Sequence, residues 1–176
     1  RIFCIFARSR IFAFKICAGA IQYKFSCNIF LESERNMEIL TCVEAAQAYA
    51  ERTKRQEEVL AKHMAAGVVF ELLDGVLIEP DVKIAPGAVI LPGVILRGNT
   101  EIGEGCVIGP NSLLSNVKVG KNVVFNASQG YDSVIDDGAN IGPFCHIRPN
   151  SHICRDVHIG DFVEIKNSTV GAKTSV

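Results

Sequence analysis

The sequence predicts an all-β fold, a parallel β-helix of hexapeptides with three short strands and eighteen residues to each coil. Three observations predict it. Aliphatic residues recur every sixth position, through Ile78, Ile84, Ile90, Leu96, Ile102, Ile108 and Leu114, and again through Ile135, Ile141, Ile147, Ile153, Ile159 and Ile165. Four places after most of these stands a smaller residue, among them Ala88, Val94, Thr100, Cys106, Ser112, Ala139, Cys145, Ser151 and Val157. All six prolines (80, 86, 92, 110, 143 and 149) lie two places after a register aliphatic, where a corner uses a fixed φ and needs no N–H donor.

A period of six belongs neither to a helix, which repeats at three and four, nor to one half-buried strand, which repeats at two. It fits short strands divided by regular turns, and such repeats are read before local structure. Residues eighteen apart then stack on one face at the inter-strand spacing of a sheet, about 4.8 Å. Glycines fall at the turn places: 87, 93, 105 and 138 three after a register residue, and 103, 109, 142 and 160 one after. Between 115 and 134 the register slips through "NASQGYDSV", which reads as a loosened coil within one domain. The β-helix is expected over 76–176, with five to six coils.

The residues ahead of the repeat differ in kind. Residues 1–36 carry six basic and two acidic residues and six of the ten phenylalanines, and read as an atypical leader outside the fold. Charges at Arg8, Arg10 and Lys15 interrupt any signal-peptide core, and no uncharged apolar run approaches the roughly twenty residues of a membrane span. Residues 37–75 read as a helical linker, with a helix from Thr41 to Ala66. "TCVE" offers a capping box with Thr41 as N-cap and Glu44 three places on, and Gly67 supplies the stop. Its apolar face is weak, as suits an arm and not a core helix.

Composition excludes some function classes. Residues 37–176 hold twelve basic against seventeen acidic residues, the wrong balance for a nucleic-acid surface, which must replace counterions on phosphates. Seven cysteines form no CxxC, and Cys106 and Cys145 occupy the small inward slot, so buried thiols in a reducing, cytoplasmic setting are expected. His146, His152 and His158 lie six apart, hence on three faces of a prism, and cannot share one zinc within a chain; no metal site is assigned. "GEGCVIG" from Gly103 is coil glycine and not a dinucleotide fingerprint, since no helix follows.

Stacking selects one candidate site. Arg148 and Lys166 each follow a register aliphatic by one and differ by eighteen, so they project from neighbouring coils of one face, with His146 and Glu164 stacked beside them. Two cations a strand apart repel unless an anion joins them. Phosphate suits the pair, Arg offering a fork and Lys a point charge.

Several motifs carry a resemblance: "LIEPDV" (77–82), "LPGVILRGNTEIGEGCVIGPNS" (91–112), "IGPFCHIRPNS" (141–151), "HIGDFVEIKNS" (158–168) and "AKHMAAGV" (61–68). In this order and spacing they closely resemble the bacterial bifunctional N-acetylglucosamine-1-phosphate uridyltransferase/glucosamine-1-phosphate N-acetyltransferase family. The resemblance implies a left-handed β-helix, a homotrimer, and acetyl transfer from acetyl-CoA to the amine of glucosamine 1-phosphate. It also implies that Arg148 and Lys166, matching the family's "RPG" arginine and the first lysine of "VEVKK", bind the sugar phosphate. Asn150 stands where the family has Gly. The family's catalytic His and Tyr belong to an "HLTY"-type segment after "GAKTSV", so no catalytic residue is assigned within 1–176, and the chain alone is expected to be inactive. Mg2+ would serve only the uridyltransferase domain, which has no counterpart here. An inactive trimerising scaffold and another hexapeptide sugar acyltransferase are the alternative readings.

Overall fold

The computed structural model describes residues 42–176, together with the backbone of Ile29–Phe30 and Ile39–Leu40, which pair antiparallel. The leader 1–36 and the Thr41 cap otherwise lie outside the described residues. The chain divides into two units, Arg1–Ala50 and Glu51–Val176. One helix, Cys42–Ala65, has Glu44 in its first turn and Lys62 and His63 in its last, the charge order that a helix dipole favours. Gly67 follows it at φ 89°, the left-handed stop that glycine takes most readily.

Glu51–Val176 contains a left-handed parallel β-helix of three six-stranded sheets. The first face carries Leu77–Ile78, Ile95–Arg97, Leu113–Ser115, Gln129–Tyr131, His146–Ile147 and Glu164–Ile165. On the second are Lys83–Ile84, Glu101–Ile102, Lys118–Val119, Val134–Ile135, His152–Ile153 and Thr169–Val170. Val69–Phe70, Val89–Ile90, Val107–Ile108, Val124–Phe125, Asn140–Ile141 and His158–Ile159 form the third. Every register aliphatic from Ile78 to Ile165 is buried, most of them completely. The small slot is buried as well, because a corner turning inside a prism leaves little room beside the large side chain of the next coil.

The first rung lies ahead of the expected boundary at 76. Phe70 pairs with Ile90, twenty residues on, where Ile78 pairs with Leu96, eighteen on. The two extra residues in the "ELLDG" corner hid that strand from a six-residue count. Leu60 of the helix belongs to the same buried cluster as Val68, Val76 and Ile78, and His63 is buried too. The last turns of the helix therefore contribute to the core, contrary to a pure arm. A solenoid's end rung exposes apolar surface that must be covered.

The coil between 115 and 134 is contracted rather than loosened. Ile102 pairs with Val119, Leu114 with Gly130 and Val119 with Ile135, so the coil shortens from eighteen residues to seventeen and then sixteen. Steps of five replace steps of six at corners where Asn116, Ala127 and Asp132 take positive φ (55°, 42° and 39°). In these corners the positive-φ residue stands two places after the register residue, whereas in six-residue corners such as those of Asn111, Phe144 and Asn150 it stands three places after. The inward stack survives by exchange of volume. Gly130 stands in a register place, and a Cβ there would lie 2.8 Å from Leu114 Cδ2 and 3.6 Å from Phe125 Cζ. Phe125, fully buried in the next register place back, supplies bulk that Gly130 lacks.

Candidate functional site

The site on the first face rests on a register that the backbone holds firmly. His146 pairs with Glu164 and Ile147 with Ile165, and Arg148 N–H donates to the Ile165 carbonyl at 2.8 Å. Ile147 and Ile165 point inward, so their neighbours at 146, 148, 164 and 166 point out, as strand alternation requires. The structure thus brings Arg148 and Lys166 to adjacent coils of one face. It also brings Glu164, paired opposite His146, within hydrogen-bond reach of Arg148.

Arg148 Nη1 donates to Glu164 Oε1 at 2.8 Å, with both side chains substantially exposed. The hydrogen bond from Arg148, helped by the charges of Arg148, His146 and Lys166, holds the Glu164 carboxyl below the usual carboxylate range. The chain itself therefore supplies an anion for Arg148, so that cation is neutralised without a ligand. Lys166 is exposed, and among the described residues its Nζ makes no hydrogen bond or ion pair. An incoming anion finds one free cation and one held by a carboxylate that must yield or be bridged.

Aromatic side chains frame this group. The Tyr131 ring meets His146 edge to face, with centroids 5.6 Å apart, and the Tyr131 hydroxyl donates to Gln129 Oε1 at 3.2 Å. Phe144 and Phe162, each two residues ahead of a first-face strand, stack with centroids 5.4 Å apart. Both rings are exposed, and both residues take φ 58°. The left-handed region costs a residue with a Cβ roughly 1–2 kcal/mol. An offset stack returns about 0.5–1.5 kcal/mol of that. Asn150 occupies the equivalent corner place at φ 60°, a conformation Asn tolerates well, so the corner beside Arg148 forms without a Gly. The spacing of eighteen could have revealed the Phe pair. Tyr131 was hidden, because it lies in the contracted coil.

The three histidines stand on three different faces, as their spacing requires. Cys106 and Cys145 are buried, and their thiols approach the carbonyls of Gly120 and Gly160 at 2.9 and 2.8 Å. Burial pushes the Cys106 thiol up, which makes it a poor nucleophile. Among the described residues no helix is long and apolar enough to cross a membrane.

Comparison with known proteins agrees with this architecture. A model of the bacterial transferase hexapeptide (six repeats) matches residues 81–116 and 132–174. The unmatched interval coincides with the contracted coil. Bifunctional protein GlmU of Alkaliphilus metalliredigens is 42% identical over 136 residues, 77% of this chain and 30% of that protein. GlmU of Brevibacillus brevis is 38% identical over 146 residues, 83% of this chain and 31% of that protein. Among solved structures, the acetyltransferase domain of PglB from Neisseria gonorrhoeae aligns with a TM-score of 0.58 at 12% identity, covering 70% of this chain and 62% of that one; this likeness is one of fold. The chain spans about three tenths of the length of the curated relatives it matches. In repeat, register and sequence identity the chain is similar to the bacterial hexapeptide transferases and to part of the bifunctional GlmU proteins.

Proposed function

We propose that this β-helix belongs to an N-acetyltransferase acting on glucosamine 1-phosphate, with Arg148 and Lys166 holding the phosphate and acetyl-CoA as the acyl donor. The observation that carries the reading is the placement of Arg148 and Lys166 on adjacent coils of one face, with Lys166 free, in the two motifs that resemble the family's phosphate-binding residues. In the reaction the substrate amine attacks the thioester carbonyl, the carbon–sulfur bond breaks, and coenzyme A leaves as the thiol. A base must take the amine proton, and in the family that base lies in the "HLTY"-type segment, to which no residue of 1–176 corresponds. The part of Arg148 and Lys166 is to hold the phosphate, and so to orient the amine for attack. Assembly as a homotrimer in the cytoplasm follows from the same family reading.

Titration calorimetry of the full chain with glucosamine 1-phosphate tests the phosphate site. Arg148→Ala and Lys166→Ala should each weaken binding about tenfold, the worth of roughly 1.5 kcal/mol for a hydrogen bond to a charged group. Glucosamine, which lacks the phosphate, should bind the unaltered chain no better than the alanine variants bind the phosphate ester. Equal affinity in all three proteins would return both cations to the solvated surface.

A further inference from the structure

On the second face the structure collects a group of ligands that the histidine spacing did not foreshadow. Asp136 follows Ile135 by one, and His152 and Cys154 flank Ile153. Val134 pairs with His152 and Ile135 with Ile153, so these positions belong to adjacent coils. Ile135 and Ile153 are buried, which turns residues 136, 152 and 154 outward on the same side. Backbone bonds fix the spacing, Asp136 N–H to the Ile153 carbonyl at 2.8 Å and Cys154 N–H to the Val170 carbonyl at 3.1 Å. One carboxylate oxygen, one imidazole nitrogen and one thiol sulfur all lie within 4.8 Å of one another, each from a half-buried residue. His152 Nε2 and Asp136 Oδ2 are 3.0 Å apart.

We infer that Asp136, His152 and Cys154 form a binding site for a zinc-class divalent ion, bridging two consecutive coils and leaving one coordination position to water. The donor set selects the metal. Thiolate and imidazole favour zinc and cobalt over magnesium and calcium, which take oxygen. Geometry permits it. An ion about 2.0–2.1 Å from both Nε2 and the carboxylate oxygen spans a 3.0 Å separation at an angle of roughly 95°, and a widening of about 0.3 Å makes the angle tetrahedral. Charge balances too. With neutral His152 protonated on Nδ1, the carboxylate and thiolate together cancel the ion's two charges. Binding releases the Cys154 proton to solvent, one per ion where the imidazole is already neutral.

A His–Asp ion pair alone would not need Cys154, and the thiol differs from its neighbours in the sequence. Cys106 and Cys145 occupy the buried inward slot, whereas Cys154 follows a register residue by one and is half-buried at the edge of the core. Asp136 also lines a groove of about 290 Å³ with Asp137, Arg155, Glu101 and Lys118, so the carboxylate side of the cluster is open to water or to a small anion.

Cobalt(II), titrated into the reduced full chain at about pH 7.5, gives the test. Saturation at one equivalent with a thiolate-to-cobalt charge-transfer band in the near ultraviolet is expected, reversed by zinc. C154S should abolish the band, and D136N and H152Q should each weaken cobalt binding about tenfold or more. A variant with serine at Cys4, Cys17, Cys27 and Cys42 should keep it. Zinc should also raise the melting temperature of the unaltered chain, an effect reversed by chelation and lost in D136N; this readout depends on no spectrum. A band that survives in C154S, a band lost in the four-serine variant, or no saturable cobalt binding below roughly 100 µM would each overturn the site.

Discussion

The regular coils and the contracted coil reach the same interior by different means. From Ile78 to Leu114, Pro and Gly at six-residue corners keep an eighteen-residue stack in which each register place holds Ile or Leu. Between 115 and 134, Asn116, Ala127 and Asp132 make five-residue corners, and the register places hold Val119, Phe125 and Gly130. The rungs still pair without a break. The difference teaches that the prism specifies inward volume and strand pairing, while corner length is free to vary, shorter by one residue here and longer by two between Phe70 and Ile78. It also explains why a six-residue count lost the chain there.

The largest effect should come from breaking a regular coil. Ile159 is fully buried on the third face, and Ile159→Asp would place a carboxylate among aliphatic side chains with no partner. A loss of roughly 3–5 kcal/mol is expected in denaturant unfolding; an unchanged midpoint would refute the inward register. In the contracted coil, Gly130→Val should cost about 1–3 kcal/mol by overpacking against Leu114 and Phe125. Adding Phe125→Leu should recover part of that loss. The double-mutant cycle reads the volume exchange directly, and strict additivity would remove Phe125 from the account.

Smaller effects concern charges outside the contracted coil. His63 is buried at the helix end, and burial, with Lys62 beside it, pushes its pKa below the ordinary value. A depressed folded value means that its neutral form is favoured by folding. Its contribution is fully present above about pH 6.5 and is lost as pH falls through the depressed value. His63→Gln should flatten the melting temperature over that interval. The slightest change belongs to the exposed Arg148–Glu164 pair. Glu164 also has a depressed folded value, so its contribution stands above the ordinary carboxylate range and fades as pH falls through the lowered one. Glu164→Gln should barely move stability near neutral pH, yet it should strengthen glucosamine 1-phosphate binding by freeing Arg148. Weaker binding in that variant would make Glu164 part of the ligand's own contacts.

Much of the site was legible because stacking by eighteen holds where Arg148 and Lys166 lie. Ile147 and Ile165 bracket them in a regular coil, and outward alternation needs no knowledge of side-chain contacts. The same arithmetic contains Asp136 and Cys154, eighteen apart, but a search for histidines of equal spacing passes over them. His152 joins them only through the pairing of its strand with Val134–Ile135.

The sequence by itself determined the period, the inward set and the faces, since these depend on side-chain size and on where Pro and Gly allow a corner. Only the tertiary structure decided how charges and ligands met. A carboxylate on one coil can reach an arginine, a histidine or a solvated neighbour on the next, and rotamer and register together choose among them. Glu164 was visible beside Arg148 and Lys166 in the repeat, but its hydrogen bond to Arg148, which pairs one cation and leaves the other free, required the distance of 2.8 Å. Leu60 entered the core for a similar reason: an end rung must be covered, and the helix joined to it by a short corner covers part of it.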